Sequence, residues 1–223
     1  MKFYKYETHC HTARCSACST LSAQDIVNLY KGLGYQGVFI TDHFLNGNTT
    51  IPRDIPWEER IRLFVSGYRE VKEIGDREGL DVFFGFESSY HGTDFLVYGL
   101  DEEWLMRNEE CFSWKTSRQL DHFREEGGLV IQAHPFREAF YIDHIRIFRE
   151  HLDGIEVYNS SRDDGSNRLA KIFADEFSML QTAGSDIHHI GQPIISGMVF
   201  PEKIADASDY GKMLASGEGK IIR

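Results

Sequence analysis

Short apolar runs recur along this chain, and each stops on a histidine, a carboxylate or an amide. Lys2 to Thr8 alternates as a strand does and ends at His9-Cys10-His11, while Gly37 to Thr41 ends at Asp42-His43. Val82 to Phe86 ends at Glu87, Leu129 to Ile131 leads to His134-Pro135, Gly154 to Tyr158 ends at Asn159, and Met179 to Ala183 closes on Gly184-Ser185-Asp186-Ile187-His188. Phe95 to Tyr98 reads as one more strand. Between these runs the apolar positions fall at helical spacing. Ser22-x-x-Asp25 is a capping-box start for a helix that runs to Gly34, and Trp57 to Glu78 is amphipathic and stopped by Gly79. Further helices are predicted over Thr116–Glu126, Ile142–Glu150 and Asn167–Phe177. Strands alternating with helices imply right-handed βαβ units and a mostly parallel sheet, closed or nearly closed into a barrel.

Composition narrows the function classes. A chain of 223 residues with 41% hydrophobic content can bury a real core, and one domain over residues 1–223 is expected. Asp and Glu number 35 against 24 Lys and Arg, a net charge of -11, which argues against non-specific binding to duplex nucleic acid. No run approaches the ~20 apolar residues of a membrane helix. The opening Met1-Lys2-Phe3-Tyr4 also lacks a signal peptide's apolar stretch, so a soluble, cytoplasmic protein without membrane partners is expected. Oligomeric state is not legible.

The C-terminal ends of the strands of a parallel barrel meet on one face, where barrel enzymes assemble their sites. His9, His11, His43, Glu87, His134, Asp186 and His188 should therefore converge. Imidazole and carboxylate are the ligand set of zinc, iron or manganese, and this many donors exceeds one tetrahedral ion, so two or three divalent metals are expected. His-x-His and Asp-x-His on extended chain each point two side chains to one side. A lone Glu87 after an all-apolar strand is best explained as bridging two cations. Asp42 is expected to orient a ligand or shuttle a proton, with Glu87 the other catalytic carboxylate. His91, four residues after Glu87, and Cys18 are further candidate ligands. Cys15 and Cys18 also form a C-x-x-C that could be a separate zinc site or a redox pair. Arg14, Arg137 and Arg162, in loops after strand ends, could grip a phosphate with their guanidinium forks. His122, His144 and His151 are read as helical surface residues.

Taken in order, His9-Cys10-His11, Thr41-Asp42-His43, Glu87, Ala133-His134-Pro135 and Gly184-Ser185-Asp186-Ile187-His188 resemble the pattern of the PHP family, named for polymerase and histidinol phosphatase. The resemblance spans nearly the whole chain. It implies a distorted TIM-like (β/α)7 barrel with a trinuclear metal centre at the C-terminal ends of the strands and, commonly, phosphoesterase activity. By the resemblance, His9, His11, Glu87 and Asp186 hold one metal, Glu87 and His134 contribute to a second, and His43 with His188 to a third. Two positions depart from the pattern. Where many members place a further histidine soon after the His-x-His, this chain has Ala17 and Cys18. In the segment after the bridging glutamate, only His91 is near.

The resulting expectation is hydrolysis of a phosphate ester on a small phosphorylated substrate by a metal-bridging hydroxide in a di- or trinuclear centre. An amidohydrolase or deaminase, and a metal-stabilised domain without activity, are the alternatives. The short insert between His43 and Trp57 and the stretch from Asp101 to Lys115 are expected to act as lids.

Overall fold

The computed structural model describes residues 2–223. Nine strands form one sheet: β1 (Tyr4–Cys10), β2 (Gly37–Ile40), β3 (Asp81–Tyr90), β4 (Thr93–Tyr98), β5 (Leu129–Ala133), β6 (Gly154–Asn159), β7 (Leu180–Gly184), β8 (Gly197–Phe200) and β9 (Lys220–Ile222). Their spatial order is β7-β6-β5-β4-β3-β2-β1-β8-β9. Just past β7, Ile187 bridges in parallel to Cys10 of β1, which curls the sheet into the nearly closed barrel that the strand–helix alternation requires.

The sheet is less uniformly parallel than expected. β1, β2 and β3 run parallel, as do β5, β6 and β7, but β4 is antiparallel to both its neighbours. A two-residue turn at His91-Gly92 joins β3 to β4 as a hairpin, and Gly92 takes the positive φ of 79° that this reversal needs. β4 therefore starts, rather than ends, on the face where the parallel strands finish.

Six helices flank the sheet: α1 (Ala23–Gly32), α2 (Trp57–Glu78), α3 (Glu102–Arg107), α4 (Thr116–Glu125), α5 (Asp164–Glu176) and α6 (Ala207–Ala215). The capping box at Ser22 is formed on both sides, Asp25 N donating to Ser22 Oγ and Ser22 N to Asp25 Oδ2. Ser22→Ala is expected to cost about 1 kcal/mol of stability without touching function, measured as a shift in the urea midpoint at unchanged slope.

Three readings are corrected. The helix over Ile142–Glu150 is absent, leaving only a short 3-10 turn at Arg149–His151. Ile142, Ile145 and Phe148 have helical spacing, but the Gln132 side chain donates to the Arg146 carbonyl and accepts from Phe148 N, holding this segment extended across β5. His144 and His151 consequently lie outside helices, whereas His122 is on α4. Asp101–Lys115 is no free lid: Trp104, Leu105 and Cys111 are buried, and Trp57 Nε1 donates to the Leu105 carbonyl. Because β4 runs backwards, this segment begins at the barrel end opposite the strand-end histidines. Finally, no element is expected past His188, yet β8, α6 and β9 follow it.

That last segment has a structural task. Ile204, Tyr210, Met213 and Leu214 pack with Tyr6, Phe39, Tyr98 and Phe200 into one buried cluster that fills the barrel interior. The Tyr6 hydroxyl accepts from Ile204 N and the Tyr98 hydroxyl donates to the Thr8 carbonyl, whereas the buried Tyr210 hydroxyl makes no hydrogen bond. With the interior filled from this end, the polar side chains are confined to the other. No helix among the described residues is long and apolar enough to cross a membrane.

Candidate metal centre

The strand ends converge as the topology demands. Glu87, fully buried on β3, is the hub: Oε1 lies 3.4 Å from both His9 Nε2 and His134 Nε2, while Oε2 lies 3.5 Å from His11 Nε2 and 2.7 Å from His43 Nδ1. Asp186 is the second hub. Its Oδ1 is 3.6 Å from His9 Nε2, 3.4 Å from His11 Nε2 and 3.5 Å from His188 Nδ1, and its Oδ2 is 3.8 Å from His134 Nε2. Three groups of donors are close enough to share an ion: His9, Glu87 and His134; His9, His11 and Asp186; and His11, His43 and His188. Asp186 and His134 have positive φ, 51° and 28°, a backbone strain that concentrates at functional sites.

The imidazoles are aimed by partners outside the cluster. The Glu156 carboxylate can only accept, so His9 Nδ1 donates to it at 2.9 Å and turns its bare Nε2 inward. His188 Nδ1 donates to the Asp186 carbonyl in the same way. Ser16 Oγ donates to Asp42 Oδ1 and accepts from His43 N and from His11 Nδ1, which fixes the tautomer of His11. Asp42 also receives Thr12 N at 2.6 Å and Thr12 Oγ1 at 2.7 Å, so its contacts are with the loop carrying Ser16.

His9 Nε2, His11 Nε2, His43 Nδ1 and both oxygens of Glu87 are buried and make no hydrogen bond. Five such atoms facing one volume would be costly in a protein without a further partner, and all are donors to a cation. The charges agree. Although burial opposes it, the carboxylates of Glu156, Asp186 and Glu87 raise His9 well above the ordinary imidazole range, and Glu87 does the same for His43. Glu87 and Asp186 are in turn held well below the carboxylate range by those imidazoles, again against burial. The cluster demands positive charge. His11, pushed down to about 3 by burial and by His43 and His188, offers a neutral lone pair. The donors fit divalent metal ions.

The remaining candidates divide. Arg137 and Arg162 reach the cluster rim: Arg162 donates to Asp186 Oδ2 at 2.9 Å, and Arg137 to Asp94 Oδ2 at 2.8 Å, each leaving a buried Nε without a partner. Arg14 is placed elsewhere, its Nε bonded to Ser66 and 3.5 Å from Glu70 on α2. His91 sits at the hairpin turn, edge-on to Tyr90, outside all three donor groups. The C-x-x-C thiols take different partners: Cys15 donates to the Phe64 carbonyl, while Cys18 stands beside His43 and His188. Burial raises the Cys18 thiol, but the two imidazoles beside it outweigh this and bring it down to about 6.

Several functional positions escaped the sequence reading. Asp94 opens β4, is buried, and lies 4.0 Å from His134 Nε2; looking only past strand ends misses it, because an antiparallel strand meets this face at its start. Glu156 and Glu7 are buried within strands. Glu7 accepts from His9 N, Ser185 N and the Tyr30 hydroxyl, tying β1 to the Asp186 loop. Glu156 carries a sequence signal, a carboxylate in the otherwise apolar start of β6, whereas Glu7 lies in a strand that is polar at several positions.

No family model matches the chain. The protein MJ1587 of Methanocaldococcus jannaschii, itself uncharacterized, is 28% identical over 143 residues, 64% of this chain and 68% of that protein. Among solved structures, a two-domain protein of Bacteroides vulgatus containing a predicted PHP-like metal-dependent phosphoesterase superposes with a TM-score of 0.73 at 14% identity, over 99% of this chain and 65% of that one. An inferred metal-dependent phosphoesterase of Bifidobacterium adolescentis gives 0.62 at 16% identity, covering 95% and 96%. An amidohydrolase of Chromobacterium violaceum, with sulfate and no metal bound, gives 0.61 at 15%, covering 98% of each chain. The chain shares the fold of these structures, and the motifs that carry the resemblance in its sequence meet in one buried cluster of side chains able to hold a metal.

Proposed function

We propose that this protein is a metal-dependent phosphoesterase acting on a small phosphorylated substrate, with two or three divalent ions held by His9, His11, His43, Glu87, His134, Asp186 and His188. The carrying observation is the five buried, partnerless donor atoms of His9, His11, His43 and Glu87 that face one volume. Bound there, zinc, iron or manganese would supply a water nucleophile at neutral pH and neutralise charge on the phosphoryl oxygens.

The chain's own residues do the positioning. Glu156, Ser16 and the Asp186 carbonyl engage Nδ1 of His9, His11 and His188, which turns each Nε2 toward the cluster. Asp42 anchors Ser16 and Thr12; of the two roles expected for it, orienting fits its contacts. Arg137 and Arg162 stand beside the carboxylates with guanidinium edges available for two phosphate oxygens. Two cations at the rim favour an anionic phosphoester over the neutral amide of an amidohydrolase, and a filled donor set favours activity over a merely structural centre.

Chelation followed by reloading, with a panel of phosphomonoesters and phosphodiesters as readout, tests the proposal. Turnover should vanish with the metal and return with it, whereas turnover that survives complete removal sinks the reading. Arg162→Lys retains the charge beside Asp186 but loses the planar fork, and should raise KM roughly tenfold with a smaller change in kcat. An unchanged KM would remove Arg162 from substrate binding.

A further inference from the structure

The loop from Ser16 to Thr20 does more than support histidines. Ser16 Oγ is bonded to His11 Nδ1 and His43 N, Ser19 Oγ donates to the carbonyls of His11 and His188, and Thr20 N donates to the His188 carbonyl at 2.7 Å. Cys18 is thereby pinned between the partners of the three imidazoles that form one donor group, His11, His43 and His188. Its thiol stands beside His43 and His188. An independent observation points to a ligand in the same place: His11 Nε2, wholly buried, has no partner.

Resting on the reading of this cluster as a metal centre, we propose that Cys18 is a ligand, so that its thiolate completes a His3Cys set with His11, His43 and His188. The thiol proton leaves to solvent as the sulfur–metal bond forms. Three imidazoles and one thiolate make a tetrahedral, sulfur-containing set, which favours zinc or cobalt over manganese or magnesium at this position. The other two donor groups contain carboxylate and imidazole only, so the positions should differ in metal preference. Cys18 is also the one exposed cysteine, since Cys10, Cys15 and Cys111 are buried. Its chemistry can be read without interference.

The test loads the metal-free protein with Co2+. Wild type should show a thiolate-to-cobalt charge-transfer band in the near ultraviolet. Cys18→Ser should lose that band and about one cobalt per chain, while keeping the visible bands of the ions that remain. In a second measurement, on unaltered protein, iodoacetamide should label Cys18 in the metal-free form and fail to label it after loading. Cobalt bound without the band, or a band that persists in Cys18→Ser, or labelling indifferent to metal, overturns the thiolate ligand and leaves the metal centre standing. A wild type that takes up no cobalt at all overturns both.

Discussion

Glu87→Ala is expected to empty the centre. Its two oxygens stand between four imidazoles, those of His9, His134, His11 and His43, so one substitution removes the carboxylate that all four face. Elemental analysis should show most of the metal gone, and phosphoesterase turnover should fall by about a factor of a thousand or more. The variant should also lose stability. Glu87 is a buried carboxylate packed against the imidazoles of His9 and His43, and removing one partner of a buried charge cluster costs about 3–5 kcal/mol. Metal content and turnover equal to wild type would mean that the cluster is not the site.

Gly184→Ala tests the packing that places the first histidine. A Cβ at Gly184, the last residue of β7, would stand 2.4 Å from His9 Cβ, 3.1 Å from His9 N and 2.9 Å from Glu156 Oε1. The two His9 atoms cannot swing aside, since they are the β1 backbone and its first side-chain atom, and Glu156 Oε1, though the end of its side chain, is bonded to the His9 ring. The strands must separate, at a cost of about 3 kcal/mol. The same displacement breaks the His9–Glu156 bond that aims Nε2, so metal affinity should fall by roughly ten- to a hundredfold. Thermal unfolding and a metal titration check the two halves. A variant as stable as wild type that binds metal normally would show that β1 and β7 can part at no cost.

Much of this was legible in the order of residues. The apolar runs with polar terminators gave the strands, and the βαβ logic gave one face on which His9, His11, His43, Glu87, His134, Asp186 and His188 had to meet. Helix starts as local as the Ser22–Asp25 capping box could be read directly, because all of their physics lies within a few residues. The reading went wrong where local pattern and distant partner disagreed. Ile142, Ile145 and Phe148 have a helix's spacing, but the side chain of Gln132 claims the backbone around them. Arg14 follows a strand end as Arg137 and Arg162 do, yet it turns to Ser66 and Glu70.

The chemistry is written in the order of residues, because residue type sets which side chains can ligate a cation and strand periodicity sets which of them share a side. What only the tertiary structure decided was direction and partnership. The reversal of β4 brought Asp94 to the ligand face and sent Asp101–Lys115 to the other end. The closure of β7 on β1 set Glu156 against His9, and the fold of one loop put Cys18 beside His43 and His188 while Cys15 turned to Phe64. Such pairings join residues far apart in the chain, and they form only when the barrel closes around its filled interior.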